Sequence, residues 1–205
     1  MNGVPTHLLF DLGGVLVELG GRPLERTWIS GERSDEEIWA LWLTSDAPRA
    51  FESGRSDPDA FARAIVDELA LDVTPEAFME RFRRWPIGPF PGALDLLRAL
   101  KGSYRTGILS NSNALHWPRK MNEMGLADAV HDHFASHLTG RVKPDPESFE
   151  HVVDVWDVEP DRVLFVDDNA LNVEAATAAG LRGERVVGLE QTKAALRAHG
   201  VRWPS

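Results

Sequence analysis

Three short segments are apolar on both faces, and each runs directly into a polar cluster. His7-Leu8-Leu9-Phe10 leads into Asp11-Leu12-Gly13-Gly14, Thr106-Gly107-Ile108-Leu109 into Ser110-Asn111-Ser112-Asn113, and Val163-Leu164-Phe165-Val166 into Asp167-Asp168-Asn169. A strand without a polar face needs cover on both sides, which a parallel sheet between helical layers provides. Val186-Val187 reads as a fourth strand. Helical periodicity fills the gaps: Leu94, Leu97 and Leu100 after Pro91-Gly92; Phe149, Val152, Val153 and Trp156 after Pro146; and Val173, Ala176 and Ala179 before Gly180. Strands alternating with helices predict an α/β fold with a Rossmann-like parallel sheet.

Residues 18–85 break this alternation and hold no convincing strand. Asp35 reads as the N-cap of a helix carrying Ile38, Leu41 and Trp42. Asp57-Pro58 opens a second, with Phe61, Ile65 and Leu69 at helical spacing, and Thr74-Pro75 a third, with Phe78, Phe82 and Trp85. Pro86, Gly88, Pro89, Pro91 and Gly92 form a hinge. The expected organisation is an α/β core of residues 1–17 and 88–205, with an inserted all-helical cap of residues 18–87.

Lys and Arg total 22 against 32 Asp and Glu, a net charge of −10. That excludes a nucleic-acid binder working by phosphate neutralisation. The chain has no cysteine, which removes disulfides, thiolate metal sites and thiol nucleophiles together. No apolar run approaches the roughly 18 residues of a membrane span. The start lacks a basic leader segment, and Asp11 interrupts its apolar run, so a cytoplasmic protein without a membrane partner is expected.

Ligands of an open parallel sheet bind beyond the carboxyl ends of its strands. Asp11, Ser110-Asn111 and Asp167-Asp168 occupy such ends, and Lys143 follows a strand-like stretch in Gly140-Arg141-Val142-Lys143-Pro144-Asp145. Carboxylates with one ammonium suit a hard divalent cation and a phosphate-like anion, and a carboxylate can attack phosphorus. Adjacent strand residues point to opposite faces, so Asp167 and Asp168 enter one site together only if the chain bends.

These segments together resemble the haloacid dehalogenase-like hydrolases. Asp11-Leu12-Gly13-Gly14-Val15-Leu16 matches that family's opening strand end except at Gly13. Ser110, Lys143-Pro144 and the run from Val166 to Ala176 supply its other three motifs in order. The resemblance implies Asp11 as the nucleophile forming an aspartyl-phosphate. It implies Mg²⁺ held by Asp11, Asp168 and the backbone carbonyl of Gly13. Ser110 and the amide of Asn111 would hold phosphoryl oxygens, and Lys143 would offset the negative charge. Asp167 falls between a supporting role at the metal and a helix N-terminal charge, and Asn172 reads as a first-turn helix residue.

The family's usual acid, two residues after the nucleophile, is absent, because position 13 is glycine. Asp-Leu-Gly openings and Ser110-Asn111-Ser112-Asn113-Ala114-Leu115-His116 resemble a subgroup similar to bacterial α-glucose-1-phosphate phosphatases. The implied substrate is a small phosphorylated metabolite such as a sugar phosphate, with His116 read as a phosphate-side residue and proton donor. The dehalogenase branch, which carries an aromatic residue at that position and attacks carbon, fits less well. Two other readings stay open: a phosphate-binding module without turnover, and a carbon–heteroatom hydrolase using Asp11. His131, His133 and His137 lack convincing zinc spacing. Trp28, Trp39 and Trp42 read as cap core, and Arg55 as a surface residue.

Overall fold

The structure is a computed structural model that describes residues 3–204. Along the chain, β1 (His7–Phe10) and β2 (Val17–Leu19) precede four helices, α1 (Asp35–Thr44), α2 (Asp46–Glu52), α3 (Pro58–Glu68) and α4 (Pro75–Arg83). Next come β3 (Pro86–Pro89), α5 (Ala93–Lys101), β4 (Arg105–Ser110), β5 (Asp132–Ala135), α6 (Ser136–Thr139) and α7 (Pro146–Trp156). The chain closes with β6 (Val163–Asp167), α8 (Ala170–Ala178), β7 (Arg182–Arg185) and α9 (Gly188–Ala198). The main sheet has five parallel strands in the order β5-β4-β1-β6-β7.

The strand alternation divides the core. Leu8, Phe10, Ile108, Leu164 and Val166 face one layer with Leu96, Leu97 and Leu100 of α5 and Leu196 of α9. Leu9, Leu109 and Phe165 face the other, with Phe149 and Val152 of α7 and Ala176 of α8. This is why the three central strands are apolar on both faces.

Helices α1 to α4 share a separate apolar cluster that includes Ile38, Trp42, Phe51, Phe61, Ile65, Phe78 and Phe82. Phe51 and Phe61 stack at 4.4 Å between ring centroids. Asp57 and Thr74 cap α3 and α4 by accepting from Ala60 N and Ala77 N.

Several elements differ from the sequence expectation. The α1 cap is Ser34, not Asp35: Ser34 Oγ accepts from Glu37 N at 3.2 Å, and Glu37 Oε2 accepts from Ser34 N at 2.7 Å. That reciprocal pair satisfies two otherwise orphaned donors, while Asp35 pairs with Arg22 and Arg26. Helix α2 was not anticipated; its N-terminal amides at Asp46 and Ala47 are capped from a distance by the Glu68 carboxylate, both at 2.9 Å. The hinge is a two-stranded antiparallel ribbon of β2 and β3. The fourth predicted strand lies earlier, at Arg182–Arg185, because an edge strand tolerates polar residues; Val186 is buried just beyond it and Val187 is exposed. The other edge, β5, contains His133 and read as a connector for the same reason. The residues before Lys143 form no strand: α6 ends at Gly140, whose φ of +72° reverses the chain.

Candidate active site

Three strand ends and one loop converge on a single edge of the sheet. Asp11 follows β1, and its amide donates to Val166 O at 3.0 Å. The next residues coil tightly, with Val15, Leu16 and Val17 amides all returning to Leu12 O. Gly14 makes this possible at φ +70°: a Cβ there would sit 2.4 Å from Asp168 Oδ2, so the backbone approaches that carboxylate as only glycine allows. Strand β4 delivers Ser110, whose hydroxyl makes only a long 3.4 Å contact to Asn111 O. The Asn111 side chain clamps the opposite loop, donating to Lys143 O and accepting from Lys143 N, both at 2.9 Å.

That clamp seats Lys143, which is 4% exposed. Its Nζ donates to Asp11 Oδ1 at 2.7 Å and Asp167 Oδ2 at 2.6 Å. Asp167 also accepts from Asn172 Nδ2 at 3.0 and 3.1 Å and from Asn169 N at 2.8 Å. The sequence left Asp167 and Asn172 without firm roles; here Asn172 orients Asp167, and Asp167 orients Lys143. Asp168 lies past the end of β6, where the chain bends, so both neighbouring carboxylates reach the site. Oxygens of Asp11, Asp167 and Asp168 lie within 4.8 Å of one another.

The charge balance of this cluster is unfavourable by itself. Burial holds the Asp11 carboxyl above its ordinary range, opposed by Lys143 and reinforced by Asp167. Burial alone would lower Lys143, but the two carboxylates outweigh it and hold the ammonium above its usual value. Asp168 bonds no other described residue through its side chain, and burial, then Asp11 and Asp167, push it up to about 7. Three carboxylates against one ammonium form an all-oxygen set with an unpaired member, which fits a hard divalent cation such as Mg²⁺. Such a cation competes with the proton on Asp168. The rise in Tm produced by millimolar Mg²⁺ is therefore expected to grow as pH increases from about 5 to 8, read by thermal denaturation; a pH-independent rise would remove Asp168 from the donor set.

A cavity of about 410 Å³ lies between this edge and the helices α1 to α4. Asp11, Gly13, Ser110, Asn111, Lys143 and Asp168 are on its floor, and Leu19, Trp39, Trp42, Leu43 and Trp85 give it an apolar wall. Trp39 and Trp42 thus do more than fill the cap core, to which Trp28 is confined by its contact with Phe78. Glu52 and Lys120 also line the cavity and were not singled out from the sequence. Nothing local marks them; the last turn of α2 and the turn after His116 meet only in the tertiary structure. Lys120 Nζ donates to Ser112 Oγ at 3.3 Å, and burial lowers its ammonium to about 8.

His116 is corrected. Its Nε2 pairs with Phe82 O at 2.7 Å, its Nδ1 with Asn113 Nδ2 at 3.3 Å, and its ring packs 4.4 Å from that of Phe82. Burial, then Lys120, lowers it to about 3, so the ring is neutral and committed to structure, outside the cavity lining. His131 and His133 bond Thr106 and Leu126 locally. Arg55 donates to Ser53 Oγ at 2.8 Å, away from the cavity. No helix among the described residues is long and apolar enough to cross a membrane.

Residues 5–180 match the model of the haloacid dehalogenase-like hydrolases. A sesquiterpene phosphatase of Aspergillus oryzae is 32% identical, over 85% of this chain and 86% of its own. An (S)-2-haloacid dehalogenase of a Pseudomonas species is 31% identical, over 86% of this chain and 74% of its own. Among solved structures, a family enzyme of Bacteroides thetaiotaomicron in complex with magnesium and inorganic phosphate superimposes with a TM-score of 0.70. It is 24% identical, over 88% of this chain and 93% of its own.

Proposed function

The chain belongs to the haloacid dehalogenase-like hydrolases, and from that premise we propose that it is a Mg²⁺-dependent phosphatase acting on a phosphate monoester through an aspartyl-phosphate on Asp11. The observation that carries this reading is the Asp168 carboxylate, partly buried beside Asp11 and bonded to no side chain of the described residues. A cation is the partner that this carboxylate lacks. Residues 18–87 act as a cap over the core of residues 1–17 and 88–205.

In the first half-reaction, an Asp11 carboxylate oxygen bonds to phosphorus as the bond from phosphorus to the ester oxygen breaks, and the departing alcohol takes up a proton. Water then attacks phosphorus, the bond to Asp11 breaks, and inorganic phosphate leaves. Lys143, anchored by Asp167, holds Asp11 in position and offsets charge developing on the phosphoryl oxygens. The Ser110 hydroxyl and the Asn111 amide bind those oxygens. Asp11, Asp168 and the Gly13 carbonyl would hold Mg²⁺, which would supply Lewis-acid charge neutralisation.

The apolar wall selects the organic group. Trp39, Trp42, Leu43 and Trp85 offer few hydrogen-bonding groups for a sugar's hydroxyls and much area for a hydrocarbon, and Leu43 is 56% exposed. A monophosphate of an apolar alcohol therefore suits this wall, which the sesquiterpene phosphatase relative supports, beside the sugar phosphate expected from sequence, which a D-ribitol-5-phosphate phosphatase relative supports. Phosphate release from a terpenyl monophosphate, compared with a hexose 1-phosphate and with EDTA in place of Mg²⁺, tests both parts. Metal-dependent turnover with at least about tenfold higher kcat/KM for the terpenyl ester is expected, a difference worth about 1.4 kcal/mol. The carbon–halogen alternative, raised by the dehalogenase relative, requires EDTA-resistant halide release from a 2-haloacid.

A further inference from the structure

An alcohol leaves phosphorus as a costly alkoxide unless a proton meets it, and the groups on the floor of this site serve other roles. Gly13 has no side chain. The space its Cβ would enter is already taken by Leu19, whose Cδ1 would stand 3.1 Å away. Lys143 is held by Asp11 and Asp167. Asp167 is saturated by Lys143, Asn169 and Asn172. His116 is tied to Phe82 and Asn113, and Lys120 donates to Ser112.

Glu52 is different. It is the last residue of α2, and its side chain lines the cavity that also holds Asp11, Gly13 and Lys120. It also lines an adjoining cavity of about 190 Å³ with Arg49, Asn111, Lys143 and Asn172. Its carboxyl makes no hydrogen bond to any described residue. We propose that Glu52 is the proton donor to the leaving-group oxygen, supplied from the cap in place of the acid missing at position 13.

The surroundings suit that role. Burial pushes the Glu52 carboxyl up to about 7, against the pull of Lys120, Lys143 and Arg49 and with the repulsion of Asp11. A carboxyl near neutrality can give a proton in one step and regain it in the next. In the first half-reaction the Glu52 proton passes to the ester oxygen as its bond to phosphorus breaks. In the second, the Glu52 carboxylate takes the proton of the attacking water, which restores the starting state.

This inference rests on the phosphatase reading, and the experiment separates the two. Wild type and Glu52→Gln are assayed with Mg²⁺ on an alkyl phosphate and on p-nitrophenyl phosphate, whose leaving group needs little protonation. General acid catalysis contributes about 10²–10⁴-fold, so the ratio of alkyl to aryl kcat/KM, which reports only the half-reaction that releases the alcohol, is expected to fall by about 10²-fold or more in Glu52→Gln. Equal losses of kcat/KM on both substrates, or no loss on either, overturn the assignment while leaving the phosphatase reading intact. Wild type inert on both esters removes the phosphatase reading and Glu52's role with it. The aryl kcat/KM also reports whether the variant is folded, so a collapse of both kcat/KM values counts against the proposal.

Discussion

Asp11→Asn is expected to lose at least about 10⁴-fold in phosphate release while keeping its fold. An amide is not a nucleophile toward phosphorus, and the loss falls on the chemical step itself. The substitution is close to isosteric, and the new amide oxygen still accepts from Lys143 Nζ, now 2.7 Å from Asp11 Oδ1. It also removes one negative charge from a cluster in which three carboxylates face one ammonium. The Tm without metal should therefore stay level or rise, while the gain from Mg²⁺ shrinks. Single-turnover phosphate release beside a thermal melt checks both. Retained turnover in Asp11→Asn would end the aspartyl-phosphate mechanism.

Lys143→Met should damage stability and activity together. The thioether matches the lysine stem but leaves the Asp11 and Asp167 carboxylates without their shared partner. Removing one member of a buried ion pair typically costs about 3–5 kcal/mol. The sign with pH follows from the direction of the shift. Lys143 is held above its ordinary value in the folded protein, so its contribution is fully present below about pH 10.4 and is lost only as pH rises through the folded value. At neutral pH the variant should show nearly the full deficit. Toward about pH 4 the deficit should narrow, as Asp11, which burial holds above its ordinary range, takes up a proton. Millimolar Mg²⁺ should restore part of the stability but not turnover, because the charge on the phosphoryl oxygens is then unopposed on the lysine side. Urea unfolding at pH 4.5 and 7.5 measures the first effect. A pH-independent deficit would mean that lost packing, not the two buried carboxylates left without a partner, dominates.

Much of the fold was legible from short segments. Phe10, Ile108 and Phe165 lie in strands buried on both faces, so their surroundings impose an unbroken apolar run. Asp57 and Thr74 cap helices through bonds to residues three places ahead, which local sequence contains in full. The edge strands were not legible in the same way. Arg182–Arg185 and Asp132–Ala135 each have a single strand neighbour, so nothing forces them to be apolar.

The sequence by itself determined the parallel sheet, the family, and the order of Asp11, Ser110, Lys143 and Asp168 along it, because each follows a local pattern of burial or a turn. Only the tertiary structure decided what those residues face. It placed Asp167 on Lys143 and His116 against the carbonyl of Phe82, and it brought Glu52, Lys120 and the tryptophan wall to one cavity. The physical reason is range. Periodicity and capping are set by neighbours a few residues away, whereas desolvation and charge pairing depend on which distant segments the closed chain brings within a few ångströms.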